Sequence, residues 1–396
     1  MEIRTIKENE FDDFIKMGEF AFQYELSEVE KQKRKKFMDL KMCWAIFDDG
    51  KMVSKLTIHP MEIWMGEKVF SMGGIAGVAT WPEHRRKGFV QTLMRKSLEV
   101  MKENNQTVSM LYPFSFSFYR KYGWEMTHSI KHYEITPQQI GKRNPSINGI
   151  VSRIDHDSDR LDRIYNRFAK RYSGTLKRTK EWWQYSILDN SNDVVAVYQN
   201  SAKEDRGYMI YNVKKETMTI DEMVALDGEA KTELLQFIGN HDSMVNKIRL
   251  QVPENDDLAF DLSDPKIKQE IKSFFMSRIV DIEAFLKEYP YQSEFKEPII
   301  LHVEDKFADW NNGTFIVKSN ERGITVEKYK VKEGSSCQHP PLRGLRCDIN
   351  TLSALFLHHQ RPVRLMEKNR ILGHEQEITK LEKVINNQQT FLYDSF

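Results

Sequence analysis

Residues 78–94, VATWPEHRRKGFVQTLM, decide the fold of the first part of the chain. The preceding run GGIAGVAT (73–80) is small and apolar, which predicts a buried strand. From Phe89 onward apolar residues recur at helical spacing, which predicts an amphipathic helix. Pro82 and Gly88 punctuate the connection. The stretch therefore predicts a strand, a short turn and a helix.

Three consecutive cations stand immediately before this helix. A helix begins with amide N–H groups that have no intrahelical partner and with the positive end of its dipole. Arg85, Arg86 and Lys87 would repel that end unless an anion bound there. A pyrophosphate meets this need, because Gly88 lets the backbone approach it closely. The alternative is a solvated turn without a ligand, which a charge run on its own also fits.

Composition limits the class of protein. The 396 residues are enough for two or three domains, and 40% hydrophobic with 30% charged residues is typical of a globular protein. The 59 Lys and Arg residues balance the 58 Asp and Glu residues, so the net charge favours neither nucleic acid nor a membrane surface. No apolar run has the length of a membrane span, and MEIRTIKENEF is not a signal peptide, so we expect a cytoplasmic protein. Cys43, Cys337 and Cys347 are widely spaced, which predicts neither a disulfide nor a zinc site.

The basic run KQKRKKF (31–37) is interpreted as a solvated helix face, with contact to a nucleotide or an acidic surface as the alternative. Nucleic-acid binding is disfavoured because no aromatic residues are interleaved with these cations.

The pattern of strands and helices divides the chain into segments 1–150, 151–287 and 288–396. The first alternates strand and helix and ends in a predicted strand at 129–137, so we expect a mixed sheet with helices on both faces. The third contains predicted strands, a WNNG turn and two helices, which is an α+β pattern.

The middle segment repeats the pattern of the first without its phosphate loop. Asp227 and Glu229 stand at the equivalent place and would repel phosphate. Trp182 and Trp183 are interpreted as packing residues. We therefore expect no cofactor in this segment.

The order Arg85-Arg86-Lys87-Gly88-Phe89-Val90 after a strand resembles the acetyl-CoA pyrophosphate loop of the GNAT acetyltransferase superfamily. That pattern has Gly or Ala at its last position, so with Val90 we expect a less tight turn. The resemblance implies that the strand pairs with the pantetheine amides of acetyl-CoA, and that helix-start amides hold its pyrophosphate.

Attack of an amine on a thioester poses two proton problems, because the ammonium group must lose a proton and the leaving thiolate is stabilised by gaining one. Tyr119 is a candidate acid, since it lies on a predicted short helix directly after the strand 107–113. The alternative is that Tyr119 is a core residue of that helix.

HRRKGFV (84–90), FSFSFYRKYGWE (114–125) and a WNNG-containing last segment with an aromatic final residue together resemble the enhanced intracellular survival (Eis) family. The resemblance implies tandem GNAT folds, the second degenerate, followed by a sterol-carrier-like α+β domain. It also implies transfer of acetyl from acetyl-CoA to aminoglycoside-like or polyamine-like small molecules or to lysine side chains. No metal is implied, and the family forms homo-oligomers, commonly hexamers.

Carried over by position, the resemblance also assigns site residues. Tyr119 matches the tyrosine that protonates the thiolate, and the proton acceptor is the C-terminal carboxylate, here that of Phe396. The family often has Ser-Glu where this chain has Phe-Ser at 114–115. The implied cofactor contacts are Val78, Ala79, Thr80, Arg85, Arg86, Lys87, Gly88, Phe89, Val90, Gln91, Phe114 and Ser115.

Two points stay open at this stage. A chain end is ordinarily a frayed tail, so the role of Phe396 depends on the resemblance. Glu19, Glu25 and Asp394 are acceptor-pocket candidates that their spacing does not separate. The rival hypothesis is a non-catalytic acyl-CoA or lipid-binding protein, which predicts a deep apolar cavity in the last segment.

Overall fold

The structure is a computed structural model that describes residues 1–140, 149–321, 323–329 and 343–396. Cys337 lies outside the described residues. Within those ranges, no helix combines the length and the apolar character needed to cross a membrane.

The N-terminal segment alternates strands and helices as predicted. Its strands are β1 Glu2–Thr5, β2 Cys43–Asp48, β3 Lys51–Met65, β4 Lys68–Thr80, β5 Val108–Leu111, β6 Glu125–Met126 and β7 Ser129–Ile135. Its α-helices are α1 Phe11–Phe22, α2 Glu28–Phe37, α3 Phe89–Glu103 and α4 Phe116–Arg120.

The central segment also combines strands and helices. Its strands are β8 Ile150–Ile154, β9 Tyr172–Leu176, β10 Val194–Gln199, β11 Asp205–Lys214, β12 Thr217–Ala225, β13 Lys247–Val252, β14 Lys268–Ser273 and β15 Met276–Ile279. Its α-helices are α5 Ser158–Ala169, α6 Lys180–Trp182, α7 Gly228–Gly239, α8 Leu258–Asp261 and α9 Ile282–Glu288. A π-helical turn, Trp183–Ile187, continues α6.

The last segment is α+β. Its strands are β16 Ile299–Glu304, β17 Gly313–Asn320, β18 Gly323–Tyr329, β19 Leu345–Asp348 and β20 Gln389–Thr390. Its α-helices are α10 Ile349–Phe356, α11 Pro362–Glu367 and α12 Glu375–Val384. Short 3₁₀ turns occur at Glu8–Glu10, Leu40–Met42, Pro82–His84, Pro137–Gln139 and Asp309–Asn311.

Three sheets organise these elements. The first has the order β1-β2-β3-β4-β5-β15-β6, with β9 also on β3 and β20 on β9. The second has the order β14-β7-β13-β12-β11-β10-β8, and the third the order β18-β17-β16-β19. The first sheet is mixed, since β3 and β4 are antiparallel whereas β4 and β5 are parallel. Two mixed sheets with flanking helices and a C-terminal α+β unit confirm the predicted fold class.

The first two sheets exchange strands. The predicted strand 129–137 is β7, and it pairs with β13 and β14 in the second sheet. In return, β15 from the central segment lies between β5 and β6 of the first sheet. Alternation along a strand shows that it pairs, but its partner is set by tertiary contacts.

The core of the last segment is filled by side chains. Leu301, Phe315, Leu352 and Phe356 are fully buried in one cluster, between the strands and α10.

Candidate active site

The helix α3 begins without a side-chain cap. Its N-cap is Gly88, in the left-handed region at φ +81°, and the amide of Thr92 already donates to the Gly88 carbonyl at 3.1 Å. Helix α7, at the equivalent place in the second sheet, is capped by Asp227, whose carboxylate accepts from the Ala230 amide at 2.8 Å. An uncapped helix start leaves amide N–H groups for an anion, and a carboxylate cap occupies them. The phosphate-binding prediction therefore fits α3 and not α7.

The three cations before α3 are exposed on this loop. Arg86 has a φ of +64°, which is uncommon for a residue with a side chain. Phe89 points its side chain into the core, and Val90 is half-buried against the same cluster. The helix starts at Phe89, so Val90 lies in its first turn, and the less tight turn expected from Val90 stays a prediction.

The strand β4 offers a free edge beside this loop. Its parallel ladder with β5 ends at the pair Ile75 and Leu111, whereas β4 continues to Thr80. Between Ala76 and Ala79, β4 has one residue more than β3, and Gly77 in this bulge has a φ of +59°. Among the described residues, the stretch 76–80 has no strand partner on the β5 side. This gap can take an extended chain with amide groups, as the pantetheine hypothesis requires.

The three predicted strand contacts occupy this stretch. Val78 and Thr80 are half-buried, and Ala79 is buried. The Ser54 hydroxyl donates to the Ala79 carbonyl at 3.0 Å and lies 2.7 Å from the Thr80 hydroxyl, which fixes the end of the strand.

Tyr119 lies on α4 with 3% of its surface exposed. The rings of Phe114 and Phe118 meet its ring edge-on, with centroids at 5.5 and 5.2 Å. Burial raises the pKa of Tyr119 well above its ordinary value, with a smaller contribution from Tyr122, so the hydroxyl keeps its proton at neutral pH. It can therefore act as a proton donor and also packs in the core.

Phe114 and Ser115, the cofactor contacts predicted after β5, have different surroundings. Phe114 has 73% of its surface exposed. Ser115 precedes α4, and its hydroxyl lies 3.1 Å from that of Ser117. The structure thus places Phe114 at the surface beside Tyr119.

The C-terminal tail is ordered against the first two sheets. β20 pairs with β9, and Phe391, Leu392 and Tyr393 are buried. The ring of Phe396 covers Gly74 of β4 so closely that a Cβ at Gly74 would lie 2.7 Å from it. Among aromatic neighbours, its centroid lies 5.0 Å from that of Phe275. The alternative of a frayed tail does not describe this chain.

A buried ion cluster holds the tail two residues before its end. Arg178 donates to both oxygens of Asp394 at 2.9 and 3.2 Å, and to both oxygens of Glu222 at 2.9 and 2.6 Å. The indole N–H of Trp182 donates to Asp394 at 2.7 Å. The side chains of Arg178 and Asp394 are fully buried. Asp394 is thus a structural anchor rather than a free acceptor-pocket carboxylate.

A cavity of about 950 Å³ lies beside this tail. Its walls come from α1, α2, β3, the β4 bulge at Ala76 and Gly77, the segment 176–186 and the tail residues Ser395 and Phe396. Glu19 and Glu25 line a neighbouring cavity of about 710 Å³ with Arg85. The residues that line the larger cavity bring the cofactor strand and Phe396 together, but Tyr119 is not among them.

Tyr119 and Phe396 lie on opposite faces of the first sheet. Consecutive residues of a strand point to opposite faces. Ile75 packs in the cluster that contains Tyr119, and its neighbour Gly74 faces Phe396. A thioester between β4 and β5 would therefore be accessible to the tail from one side and to the tyrosine from the other.

Sequence reasoning missed two titratable residues of this cavity. Lys55 and His59 line the cavity from β3, whereas Leu56, next to Lys55, packs in the core. Burial lowers the pKa of Lys55 to about 7 and that of His59 to about 4. The period-two alternation of K-L-T-I-H was the signal that could have identified them.

Trp182 and Trp183 have different surroundings. Trp183 is buried and packs edge-on against Tyr165, with ring centroids at 5.7 Å, as expected for a packing residue. Trp182 lines the cavity, which the packing interpretation did not anticipate. Among the described residues, no group of three or more His, Cys, Asp or Glu side chains is arranged to hold a metal ion.

Comparison with known families agrees with this architecture. A protein family described as acetyltransferase (GNAT) domain matches residues 2–127, and a second family with the same description matches residues 174–279. A third family, described as sterol carrier protein domain, matches residues 282–393.

Individual relatives extend this result. An uncharacterized N-acetyltransferase of Streptomyces coelicolor is 21% identical over 274 residues, which are 64% of this chain and 66% of that protein. A probable N-acyltransferase of Enterococcus faecalis has a TM-score of 0.90 and 26% identity, covering 100% of this chain and 99% of that one. Eis1 of Mycobacterium abscessus has a TM-score of 0.81 and 20% identity over 100% of both chains, which shows a shared fold. The chain thus consists of two acetyltransferase (GNAT) domains and a sterol carrier protein domain, and it is an N-acetyltransferase that uses acetyl-CoA.

Proposed function

We propose that this chain is an Eis-type enzyme that transfers the acetyl group of acetyl-CoA to a primary amine of a small molecule or a lysine side chain. The observation that carries the proposal is the placement of Phe396 against Gly74 of the cofactor strand, in the cavity that the β4 bulge also lines. An ordered tail at this place is unexpected for a protein that only binds acyl-CoA.

The cofactor contacts follow from the free backbone groups of the first sheet. The edge of β4 at Val78, Ala79 and Thr80 would pair with the pantetheine amides. The amides of residues 86–91 would hold the pyrophosphate, assisted by the cations Arg85 and Lys87. Phe114 and Ser115 would flank the same gap from the end of β5.

The reaction then needs three proton transfers. The acceptor ammonium gives its first proton to the α-carboxylate of Phe396, the last residue of the sequence, and the free amine attacks the thioester carbon. A C–N bond forms, the C–S bond breaks, and Tyr119 donates its hydroxyl proton to the departing thiolate. The attacking nitrogen then loses its second proton, which restores the Tyr119 hydroxyl through solvent, so that a neutral amide and the CoA thiol are the products. The opposite-face arrangement supports these roles, because the tail can deprotonate the amine on one face of the thioester while Tyr119 approaches the sulfur from the other.

The tail's role is tested by extending the chain. Adding a few residues after Phe396 would displace its carboxylate and fill the cavity, so turnover should be lost while calorimetry still detects acetyl-CoA binding. A tag of equal length before Met1 is the matched control and should leave both unchanged. Acetylation at the normal rate by the extended enzyme would contradict the role of Phe396, and His59 would then be the next base to replace.

The rival function is non-catalytic binding of acyl-CoA or a lipid. It predicts stoichiometric binding without release of CoA when the protein is mixed with acetyl-CoA and a panel of amines. Detection of acetylated amines by mass spectrometry would exclude it.

The remaining expectations are proposals of the same kind. We propose domains at 1–150, 151–287 and 288–396, a cytoplasmic location, and a homo-oligomer, as the hexamers of the resembled family suggest. We propose no nucleic-acid or membrane partner. Sedimentation velocity of the full chain measures its oligomeric state.

A further inference from the structure

The large cavity is apolar over most of its wall. Phe14, Phe22, Phe37, Met61, Leu176 and Trp182 contribute side chains to it. Such a wall favours an acceptor whose body is hydrocarbon or aromatic rather than densely hydroxylated.

Two cations at one end of this cavity have no carboxylate partner within the described chain. Lys55 has 4% of its surface exposed, and its ammonium donates to the Phe14 carbonyl at 2.6 Å and lies 3.9 Å from the centroid of that ring. Arg34 donates to the Tyr24 hydroxyl at 3.0 Å. The Tyr24 hydroxyl and the Lys55 ammonium both come within about 3 Å of the same point above Gly18. These residues form one cationic end, named here the Arg34–Lys55 end.

The other cations of the cavity are already neutralised. Arg178 is held between two carboxylates, and Lys177 pairs with Glu62 at 2.8 Å. Of the other lining carboxylates, Asp39 accepts from the Lys41 amide at 2.9 Å, and Glu181 is exposed. The carboxylate proposed as proton acceptor belongs to Phe396 at the opposite end.

The two ends are separated along β3. His59 is opposite Gly74, which Phe396 covers, and Lys55 lies four residues earlier on the same face. Four strand residues span about 13 Å. The cavity thus presents positive charge, an apolar middle and the proposed base in this order.

We propose that the natural acceptor is an amine that also carries a carboxylate, separated from the amine by an apolar body. The carboxylate binds Arg34 and Lys55, and the amine is delivered to Phe396. This inference rests on the proposed function and narrows its acceptor from aminoglycoside-like or polyamine-like cations to zwitterionic, amino-acid-like molecules. A polycation would place a second positive charge at the Arg34–Lys55 end, which costs repulsion in a partly desolvated site.

The first test compares three acceptors of equal length: 8-aminooctanoate, octylamine and 1,8-diaminooctane. With acetyl-CoA in excess, we expect kcat/KM to be highest for the amino acid and lowest for the diamine, about tenfold or more apart. R34E should reverse the order and favour the diamine. K55M should bring the amino acid down to the level of octylamine. K36E, on the same helix but outside the cavity lining, makes the same charge change as a matched control and should keep the wild-type order.

The second test measures binding without chemistry. Octanoate, which has no amine, should bind the full-length protein in calorimetry, and R34Q should weaken this binding about tenfold or more without changing the affinity for acetyl-CoA. If octanoate does not bind and octylamine or the diamine is the better substrate, the carboxylate site is wrong but acetyl transfer stands. If octanoate binds through Arg34 and none of the amines is acetylated, the carboxylate site stands and the proposed function fails.

Discussion

Replacing Asp394 by asparagine would cut the charged attachment of the tail while keeping the shape of the side chain. Asp394 is two residues before Phe396 and shares Arg178 with Glu222. The variant therefore separates two roles of the cluster, which are stability of the fold and position of the proposed base.

The cost in stability follows from the contacts. Asparagine keeps one acceptor oxygen but presents an N–H group to a guanidinium that only donates, so at least one charge-assisted hydrogen bond is lost, about 1.5–3 kcal/mol. Glu222 still neutralises Arg178, so no bare charge remains. R178M would instead leave two carboxylates buried without a counter-charge, and should cost as much as the loss of a buried ion-pair partner, about 3–5 kcal/mol, or more.

The effect on catalysis is expected to be larger than the effect on stability suggests. Once the tail is unpinned, a shift of about 1 Å in the Phe396 carboxylate is enough for a loss of about 10²-fold in kcat. The matched control is E222Q, which removes one charge from the same guanidinium but is not attached to the tail. E222Q should be destabilised comparably, with kcat within about threefold of the parent.

Urea unfolding and steady-state release of CoA measure the two quantities on the same protein samples. D394N should lower kcat with little change in the KM for acetyl-CoA, since the cofactor loop is elsewhere. Equal losses of kcat in D394N and E222Q would show that the cluster only stabilises the fold. An unchanged kcat in a folded D394N enzyme would show that the Arg178 contact does not set the position of the tail.

Three further predictions follow from single residues. G88V should weaken acetyl-CoA binding about tenfold or more in calorimetry. A side chain at position 88 would meet no neighbouring atom, but a β-branched residue disfavours the left-handed φ of Gly88, so the turn that presents the amides would change shape. Unchanged affinity would contradict the pyrophosphate assignment. Y119F should lower kcat about 10²-fold and keep acetyl-CoA binding; turnover within a few fold would make Tyr119 a core residue only. Because Lys55 loses its proton near pH 7 when folded but near pH 10.5 when unfolded, the unfolded chain holds more protons between these values, and the free energy of unfolding should rise with pH across that window by up to about 1.4 kcal/mol per unit. K55M should flatten this rise in urea titrations at pH 7 and 9, and an equal slope in both proteins would refute it.

Local patterns predicted the parts of the site that one stretch of chain builds. The apolar run ending at Thr80 and the helical spacing from Phe89 gave a strand, a turn and a helix, and the structure has all three with Gly88 as the helix cap. Asp227 likewise predicted a place in the second segment that does not bind phosphate, and in the structure its side chain caps the start of α7. Such features depend on residues close in sequence, so a single sequence contains them.

Long-range partners were not predictable in this way. Nothing in the sequence of β7 or β15 says which of two sheets each will join, because apolar alternation is the same in both. Lys55 was missed because a lysine in an alternating strand ordinarily faces water, and here the face is covered by α1. Arg178 and Asp394 are 216 residues apart, and only the fold brings their charges together.

Because of these long-range contacts, the proposed site draws on all three segments of the chain. The first segment supplies the free edge of β4 and the uncapped helix α3. The second supplies Arg178 and Trp182, and it contributes β15, which pairs with β5 on the edge opposite β4. The third supplies the tail that reaches Gly74. The first GNAT domain thus receives β15, the Arg178 contact and the proposed base from the other two segments, so the packing between segments sets the position of the proposed reacting groups. Mutations at the contacts between segments should therefore lower turnover more than they weaken cofactor binding.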